Sequence, residues 1–420
     1  MSSHEDNTDD FRLTAIGGLG DISRHDWDAL ANPGWTLGPG GALSRDVGVE
    51  STSQGAESLS SETAFNPFIS HDFLSILEES GCVGAQSGWL PQHLVLEDPR
   101  GKPVAALPCY LKNNSMGEYV FDHAWADAFE RAGGNYYPKL QCSVPFTPAT
   151  GRRFLTSAGI DRRAAIGALL GGVTALCQMR EASSVHITFM TEPEWQAAGD
   201  EGFLRRMDQQ FHWLNAGYAD FEAFLDDLAS RKRKQIRKER REALANDIEI
   251  DWVTGKDLTE AHWDAFHAFY RDTGSRKWGR PYLNRRFFSL LGERLGERVL
   301  LVMARREGRP IAGALNLIGS DTLFGRNWGC TEDHPFLHFE VCYYQAIDFA
   351  ISRGLARVEA GAQGAHKLAR GYLPAPTYSA HHIAHPGLRR AVADYLEQER
   401  DAVQLEGEAI RAEYSPFRKT

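Results

Sequence analysis

The sequence predicts two tandem α/β (α+β) domains, each a mixed, mostly antiparallel sheet flanked by helices. Residues 94–107 read LVLEDPRGKPVAAL, and residues 301–314 read LVMARREGRPIAGA. Each stretch is an apolar strand, a charged turn and a second apolar strand, which is the pattern of a β-hairpin. The copies stand about half of the 420 residues apart, which indicates a duplicated domain with a cleft between its halves.

In the first half, FRLTAI (11–16) and VHITFM (185–190) have the composition of strands. An apolar stripe predicts a helix over residues 68–79, which begins after Asn66-Pro67. Residues 32–63 hold many Gly, Ser and Thr and few large apolar side chains. We expect this stretch to be a flexible insertion without a core of its own.

The second half predicts helices, a strand meander, a further helix and two more strands, which is a layered α/β or α+β arrangement. The predicted helices lie at 220–245, 258–272, 284–295 and 337–353, and the strands at 248–253, 356–361 and 377–385 in addition to the hairpin. The predicted division is a disordered tail at 1–10, an N-terminal domain at 11–202 and a C-terminal domain at 203–420.

The composition is that of a soluble globular protein, with 42% apolar and 24% charged residues. A net charge of −10 argues against a bulk nucleic-acid-binding protein, and no DNA partner is expected, although the overall sign can hide a basic patch. The longest uncharged run, 164–179, is too short to span a membrane, so we expect no stable membrane insertion. The acidic N-terminus and six cysteines without a C-x-x-C motif predict a reducing, cytoplasmic location. We expect a monomer or a homodimer.

The block from 326 to 373 holds the residues best suited to chemistry. A strand ends near Gly329, and a polar loop leads into a helix whose free N–H groups suit a phosphate. Glu359 is followed by a Gly-rich stretch with His366, and either residue can take a proton from an amine. An ordinary connection and a solvated surface turn are the alternatives. The candidates are Glu359, His366 and Glu340 for proton transfer, and Arg326, Trp328 and Lys367 for holding an anionic donor or substrate.

A basic run is the second signal. Residues 231–241 contain eight Lys or Arg and a single acid, in a chain that is acidic overall. Such density attracts the phosphates of a nucleotide, coenzyme A, tRNA or a lipid, although a solvated helix face is the alternative. The candidate phosphate contacts are Arg231, Lys232, Arg233, Lys234, Arg237 and Lys238.

Other signals are weaker. The loop SRKWGR, within 273–283, can bind an anion or stack on a ring, or it can be a structural anchor. His and Asp residues near 122–127 and 381–385 provide no third ligand at a recognised spacing, so we expect no metal. The sequence has no G-x-S-x-G motif, which argues against a serine hydrolase.

The chain resembles a known family in eleven stretches, from about Asn66 to Arg400. These stretches are NPFISHDFL, SGWLPQHL, GKPVAALPCYLK, GEYVFDHAWADAFERAGG, YYPKLQ, VPFTP, SRKRKQIRKERR, RKWGRPYL, LHFEVCYYQAIDFAI, EAGAQGAHKLARGYLP and TYSAH. Together they resemble the FemAB-like predicted N-acyltransferases, which are related to the GNAT acyltransferase superfamily. The insertion at 32–63 departs from the family's usual pattern.

The resemblance implies two GNAT-like domains packed together, with an acyl donor between two splayed strands. The strand ending at Trp328 and the helix beginning near Leu337 match the elements that hold the donor's pyrophosphate. The loop 329–336 lacks the Gly-rich pattern of enzymes that use acyl-CoA. Fem-type relatives instead take an aminoacyl group from charged tRNA, and the basic run 231–241 suits such a donor.

We therefore expect an N-acyltransferase that forms an amide on a small-molecule or peptide amine. Acyl-CoA or aminoacyl-tRNA serves as co-substrate, and no cofactor is tightly bound. The alternatives are a Fem-type aminoacyl-tRNA-dependent transferase acting on a peptidoglycan precursor or related peptide, and a non-catalytic scaffold. The expected acceptor contacts are Asp122, His123, Trp125, Tyr137, Lys139, Arg276, Lys277 and Trp278.

Overall fold

The computed structural model describes residues 10–46, 63–277, 281–361 and 364–418, without the side chains of 275–277. Most of the predicted tail at 1–10 lies outside these ranges. The described strands are β1 (Arg12–Ile16), β2 (Trp35–Leu37), β3 (Leu43–Arg45), β4 (Trp89–Pro91), β5 (His93–Glu97), β6 (Pro103–Leu107), β7 (Tyr110–Lys112), β8 (Lys139–Cys142), β9 (Leu155–Thr156), β10 (Ser184–Met190), β11 (Leu204–Leu214), β12 (Ile248–Val253), β13 (Val299–Arg306), β14 (Arg309–Ile318), β15 (Thr322–Cys330), β16 (Arg357–Glu359) and β17 (Leu373–Ile383).

The described α-helices flank these strands. They are α1 (Arg24–Ala31), α2 (His71–Glu79), α3 (His123–Arg131), α4 (Arg162–Met179), α5 (Glu192–Asp200), α6 (Phe221–Asp227), α7 (Ser230–Ala243), α8 (Glu260–Lys277), α9 (Arg285–Leu295), α10 (Leu337–Phe339), α11 (Gln345–Ser352) and α12 (Pro386–Glu413). A π-helical turn, Glu340–Tyr344, joins α10 to α11. Such turns occur often at functional sites.

Three sheets carry the described strands, which confirms the predicted mixed α/β class. The largest has eleven strands in the order β12-β13-β14-β15-β16-β11-β17-β10-β8-β7-β4. A four-stranded sheet has the order β1-β5-β6-β9, and β2 pairs with β3 alone. Neighbouring strands are antiparallel except in the pairs β8/β10 and β15/β16.

Both copies of the repeated stretch form hairpins with the same irregularity. The register shifts between Leu96 and Glu97 in β5/β6, and between Ala304 and Arg305 in β13/β14. Both turns contain a glycine at positive φ, Gly101 at 78° and Gly308 at 72°. The hairpins predicted from sequence are therefore present, each with a bulge at the matching place.

A pair of parallel strands follows each hairpin in the chain. In the first half, β8 and β10 are joined by a connection that contains α4. In the second half, β15 and β16 are joined through α10 and α11. Each half thus repeats the sequence of hairpin, strand, helical crossover and parallel strand.

The halves share one sheet because β17 is paired on both edges. One edge bonds β10 of the first half, and the other bonds β11 of the second half. The division of the chain at residue 203 stays a prediction, since the strand after it, β11, and the late strand β17 together form this joint.

Apolar side chains on both faces of the large sheet form the core. Helices α2, α8 and α9 bury Phe73, Phe266 and Phe288 in one cluster, and α6 and α11 bury Phe224 and Ile347 in a second. Helix α4, which is uncharged from residue 164 onwards, is buried against the first half with Leu169 and Val173, among others. None of the described helices has the length and the apolar character needed to cross a membrane.

Two sequence expectations are corrected here. Residues 35–45 form the hairpin β2/β3 and pack on the core through Trp35, Leu37 and Leu43, so this part of the predicted insertion has its own structure. Residues 47–62 lie outside the described residues. The helix predicted at 220–245 is broken between α6 and α7, because Leu228 adopts an extended conformation, is fully buried and bridges to Phe417.

A buried histidine pair lies across the joint between β10 and β17. Nδ1 of His186 and Nδ1 of His381 are 2.8 Å apart, and both rings are buried. Burial lowers the pKa of His186 to about 3 and lowers the pKa of His381 well below its usual value. Because an unfolded histidine titrates near ~6.5, the unfolded chain binds more protons below that pH.

We expect the variant His381→Asn to lose less stability than the wild type when the pH is lowered from 7 to 5. Folded-state histidines with depressed pKa values stabilise the fold above ~6.5 and lose that contribution as the pH falls. Thermal melts at both pH values test this. The exposed His25, changed to Asn, is the control. Equal losses in wild type and His381→Asn would contradict the role of the pair.

Candidate active site

Strands β15 and β16 separate shortly after they meet. They pair only at 322–324 with 357–359, and β15 then continues to Cys330 with β14 as its partner. The last pair is Phe324 with Glu359. A Cβ on Gly325 would lie 3.3 Å from the carbonyl oxygen of Glu359, so glycine allows the two strands to approach closely here. We call this point, where β15 and β16 separate, the vertex. Beyond this point β16 has ended, and β15 continues without a partner on that edge among the described residues.

A groove of about 460 Å³ opens beside this vertex. The second half contributes Arg357, Glu359 and Tyr378 to its walls, and the first half contributes Asn66 and Thr150. It therefore lies between the two halves. A site between halves was expected from the repeat, and Glu359 is the predicted catalytic residue that lies in it.

The Glu359 carboxyl is poised to exchange a proton. Its side chain is buried, and its Oε2 atom has no hydrogen-bond partner among the described residues. Burial raises the pKa of Glu359 to about 7, and the Arg357 guanidinium and the Thr150 backbone N–H partly oppose this rise. A carboxyl with a pKa near neutral pH, facing a cavity, has the properties of a general base.

The loop that faces Glu359 is built around Arg153, a residue that sequence reasoning missed. Arg153 is fully buried and donates to four backbone carbonyls, those of Ala149, Gly151, Arg152 and Thr188, at 2.8 to 3.1 Å. These bonds fix the loop that presents the Thr150 N–H. The positive charge of Arg153 also lowers the pKa of Glu359. The sequence around Arg153 contains no motif that indicates this structural role.

Arg357 is held in place at the floor of the groove. Its Nε donates to Thr322 Oγ1 at 2.7 Å, and its Nη2 lies 3.1 Å from Asp321 Oδ2. Arg152, also buried, lines the opposite wall. Two guanidinium groups thus accompany one carboxyl of raised pKa.

The predicted partner of Glu359, His366, is not in this groove. Its Nε2 lies 2.9 Å from the Tyr343 hydroxyl, and its ring packs against His338 and Phe339 on the helical side of the sheet. Strand alternation explains the separation: Val358 faces that helical side and is buried there, so its neighbour Glu359 faces the other way. The two predicted bases are therefore not brought together.

Glu340 and Lys367 are also away from the groove. Glu340 is fully buried and lies 2.9 Å from Arg240 Nη2, so it ties the π-helical turn to α7. Lys367 is buried and donates to the Gly361 carbonyl at 2.8 Å, and burial lowers the pKa of its ammonium to about 8. A functional role for Glu340 or Lys367 stays a prediction, since the contacts described for their side chains are with other residues of the protein core.

Helix α7 carries the basic run and packs on the helical face of the large sheet, where its Ile236 is buried in the same cluster as Val358. Its buried Glu239 lies 2.9 Å from Arg370 Nη2 and accepts from the Tyr344 hydroxyl. On the outer surface, Arg233 pairs with Asp226 and Arg237 with Glu222, while Lys238 lies 3.6 Å from Glu242. Arg231, Lys232 and Lys234 form no ion pair with the described residues, and they are the cations most available to a ligand.

The remaining predicted donor-binding residues, Arg326 and Trp328, lie on opposite faces of the large sheet. Arg326 is directed at the first half, where it donates to the Phe146 carbonyl, and burial lowers its pKa. Trp328 packs against His338 with ring centroids 5.1 Å apart, which places it with the His366 cluster. The sequence alone grouped them because they are close neighbours on one strand.

Several of the expected acceptor residues form a cluster joined by internal hydrogen bonds, although Oδ1 of Asp122 has no partner among the described residues. Lys139 Nζ lies 2.5 Å from Asp122 Oδ2 and 2.7 Å from Ser115 Oγ, and Ser115 contacts the Tyr137 hydroxyl. Trp125 is buried against the His186–His381 pair, and His123 is exposed beside Phe121. Both Lys139 and Asp122 are almost fully buried and do not line the groove.

Arg276, Lys277 and Trp278 cannot be placed in the same way, because their side chains lie outside the described residues. In the described ranges, no group of three or more His, Cys, Asp or Glu residues is arranged to hold a metal ion.

The model of the FemAB-like family, described as peptidoglycan biosynthesis/recognition, matches residues 19–419. The chain belongs to the FemAB-like family. This match confirms the family predicted from the sequence, and with it the predicted class of acyl- or aminoacyltransferase. No curated protein matches the chain in sequence.

Solved structures with a similar arrangement include proteins of the Fem and GNAT types. FemX is 11% identical over 74% of this chain and 92% of its own, with a TM-score of 0.46. L-PGS from Bacillus licheniformis is 9% identical over 77% and 95%, with a TM-score of 0.47. A tandem GNAT protein from the clavulanic acid biosynthesis pathway is 12% identical over 90% and 99%, with a TM-score of 0.43. These values carry no argument about chemistry.

We expect Glu359→Gln to become more stable relative to the wild type as the pH rises from 5 to 8. The folded pKa of about 7 lies above the unfolded value of ~4.3, so the native state holds the extra proton and stability is lost as the pH rises through 7. Thermal melts measure the difference. Glu192→Gln, in the same groove, is the control. A pH-independent difference would show that Glu359 is not protonated in the folded state.

Proposed function

We propose that this FemAB-like protein transfers an aminoacyl group from charged tRNA to the amine of a small molecule or peptide. The observation that carries the proposal is the combination of two features on opposite sides of the large sheet. The unpaired cations of α7 lie at its helical side, and the raised-pKa carboxyl of Glu359 lies at its groove side.

The donor is assigned to the helical side. Arg231, Lys232 and Lys234 offer positive charge to a phosphate backbone, which binds largely through such contacts. The ester of the donor then extends between β15 and β16 towards the vertex at Phe324 and Glu359. Backbone groups of diverging strands lack ladder partners and are available to hold an extended chain and its oxyanion.

The acceptor is assigned to the groove. Its neutral amine nitrogen attacks the carbonyl carbon of the donor, a C–N bond forms, and the bond from that carbon to the donor's ester oxygen breaks. The amine proton passes to the Glu359 carboxylate, which returns it to the ester oxygen as that oxygen leaves as a hydroxyl of the tRNA. Holding both reactants in this geometry supplies much of the rate. A cytoplasmic location belongs to this proposal, because charged tRNA is found there.

Acyl-CoA is the second candidate donor, because a thioester supports the same amine attack. Against it stands the loop 329–336 before α10, which has no Gly-rich sequence to hold a pyrophosphate. Stabilisation by coenzyme A in a thermal-shift assay would favour this donor over tRNA.

Replacing Glu359 with Gln is expected to lower kcat by about 10²–10⁴-fold while the fold is kept, which is the range for loss of a general base. In the wild type, kcat/KM should rise with pH around a midpoint near 7, because the carboxylate is the active form. The control Glu192→Gln should keep both the rate and the profile. Full activity in Glu359→Gln would remove this residue from the mechanism.

Neutralising the unpaired cations in the triple variant R231Q/K232Q/K234Q should weaken tRNA binding and flatten its salt dependence by roughly one unit of slope per lost contact. Fluorescence anisotropy with charged tRNA at several salt concentrations measures both effects. The matched control is R233Q/R237Q on the same helix, whose side chains already pair with acids. Equal loss in both variants would contradict the assignment of the donor side.

A further inference from the structure

A second pocket, of about 320 Å³, is separated from the groove by a short segment of the chain. Its walls come from the hairpin β2/β3, the end of β14 and the end of α11. The segment around Phe65 separates the two cavities, since the Phe65 N–H donates to Ser320 Oγ at 2.8 Å and the Ser320 N–H donates to the Phe65 carbonyl. Nothing in the proposed transfer reaction uses this pocket.

Two arginines without a bonded partner line it. The side chains of Arg298 and Arg353 make no hydrogen bond or ion pair with the described residues, and the Nε atom of Arg298 is buried. Burial lowers the pKa of Arg298, and the nearby positive charge of Arg353 lowers it further, so the two guanidinium groups repel each other. Glu297 is the acid on the wall, and it forms no ion pair with either arginine. Glu297 offsets part of the cost of holding two cations together, since its charge raises the pKa of Arg298, and a bound anion bonded to both guanidinium groups would offset more of that cost.

Aromatic rings form the adjoining walls. Trp35 and Phe349 line the pocket. Arg45 lies 5.7 Å from the Trp35 ring centroid, and Arg353 lies 5.4 Å from that of Phe349. The position of Trp35 is fixed by its Nε1–H bond to the Thr63 carbonyl at 2.8 Å. Two arginines and two aromatic rings thus line one cavity, in a chain whose net charge is −10.

We propose that this pocket binds a nucleoside phosphate. Arg298 and Arg353 receive the phosphate groups, because the planar guanidinium fork matches phosphate oxygens and remains charged. The Thr254 and Ser320 hydroxyls border the same space and can donate to the remaining oxygens. The base stacks on the Trp35 ring, a contact that every base can make. The proposal concerns binding alone and is independent of the donor and the acceptor of the transfer reaction.

Isothermal titration of the full-length protein with ADP, and separately with inorganic pyrophosphate, tests this site. We expect saturable binding of both, and at least about tenfold weaker binding of both in R298M, R353M and the double variant, because hydrogen bonds to charged groups contribute ~1.5–3 kcal/mol each. Trp35→Leu should weaken ADP but not pyrophosphate. Arg353 is exposed, so R353M keeps the test valid if R298M fails to fold.

The control is Arg309→Met, an exposed arginine in the β13/β14 turn that already pairs with Glu307. It should leave both affinities unchanged. Failure of both probes to bind the wild type, or equal affinity in the arginine variants, would overturn the site. Equal loss of ADP and pyrophosphate in Trp35→Leu would overturn the assignment of a base to the aromatic wall. Because these readouts require no turnover, they are unaffected if the transfer reaction is assigned wrongly.

Discussion

The pairing of β17 on both of its edges is the constraint on which the rest of the structure depends. By bonding β10 on one side and β11 on the other, this strand makes one sheet of the two halves and leaves no freedom between them. The loop 149–153 of the first half is thereby held against β16 of the second. Without that contact, Glu359 would face water and would titrate as an ordinary carboxyl.

The pKa of Glu359 is set by burial of its carboxyl and by nearby groups that partly compensate for that burial. Desolvation alone would hold the proton firmly, whereas the Thr150 N–H and the charges of Arg357 and Arg153 favour the ionised form. The balance leaves the carboxyl able to gain and lose a proton near neutral pH. Each of these three residues is held by hydrogen bonds of its own, which keeps it close to the carboxyl.

The same topology serves different purposes in the two halves. At the parallel pair of the first half, Cys142 faces Ile187, and both are fully buried in an apolar core. At the matching pair of the second half, Phe324 faces Glu359 beside a cavity. The first half therefore acts as a packed support that closes the groove, and the second half supplies the ionisable group.

The sequence by itself determined the hairpins, the basic run and the family, because turn glycines, alternating apolar residues and local charge density act between neighbours in the chain. It also marked Glu359, which ends a strand before a Gly-rich stretch. Only the tertiary structure decided that Glu359 and His366 face opposite sides of the sheet, that Lys139 and Asp122 neutralise each other, and that Arg153 shapes the loop opposite Glu359. Burial and charge pairing join residues that are far apart in the chain, so no local pattern records them.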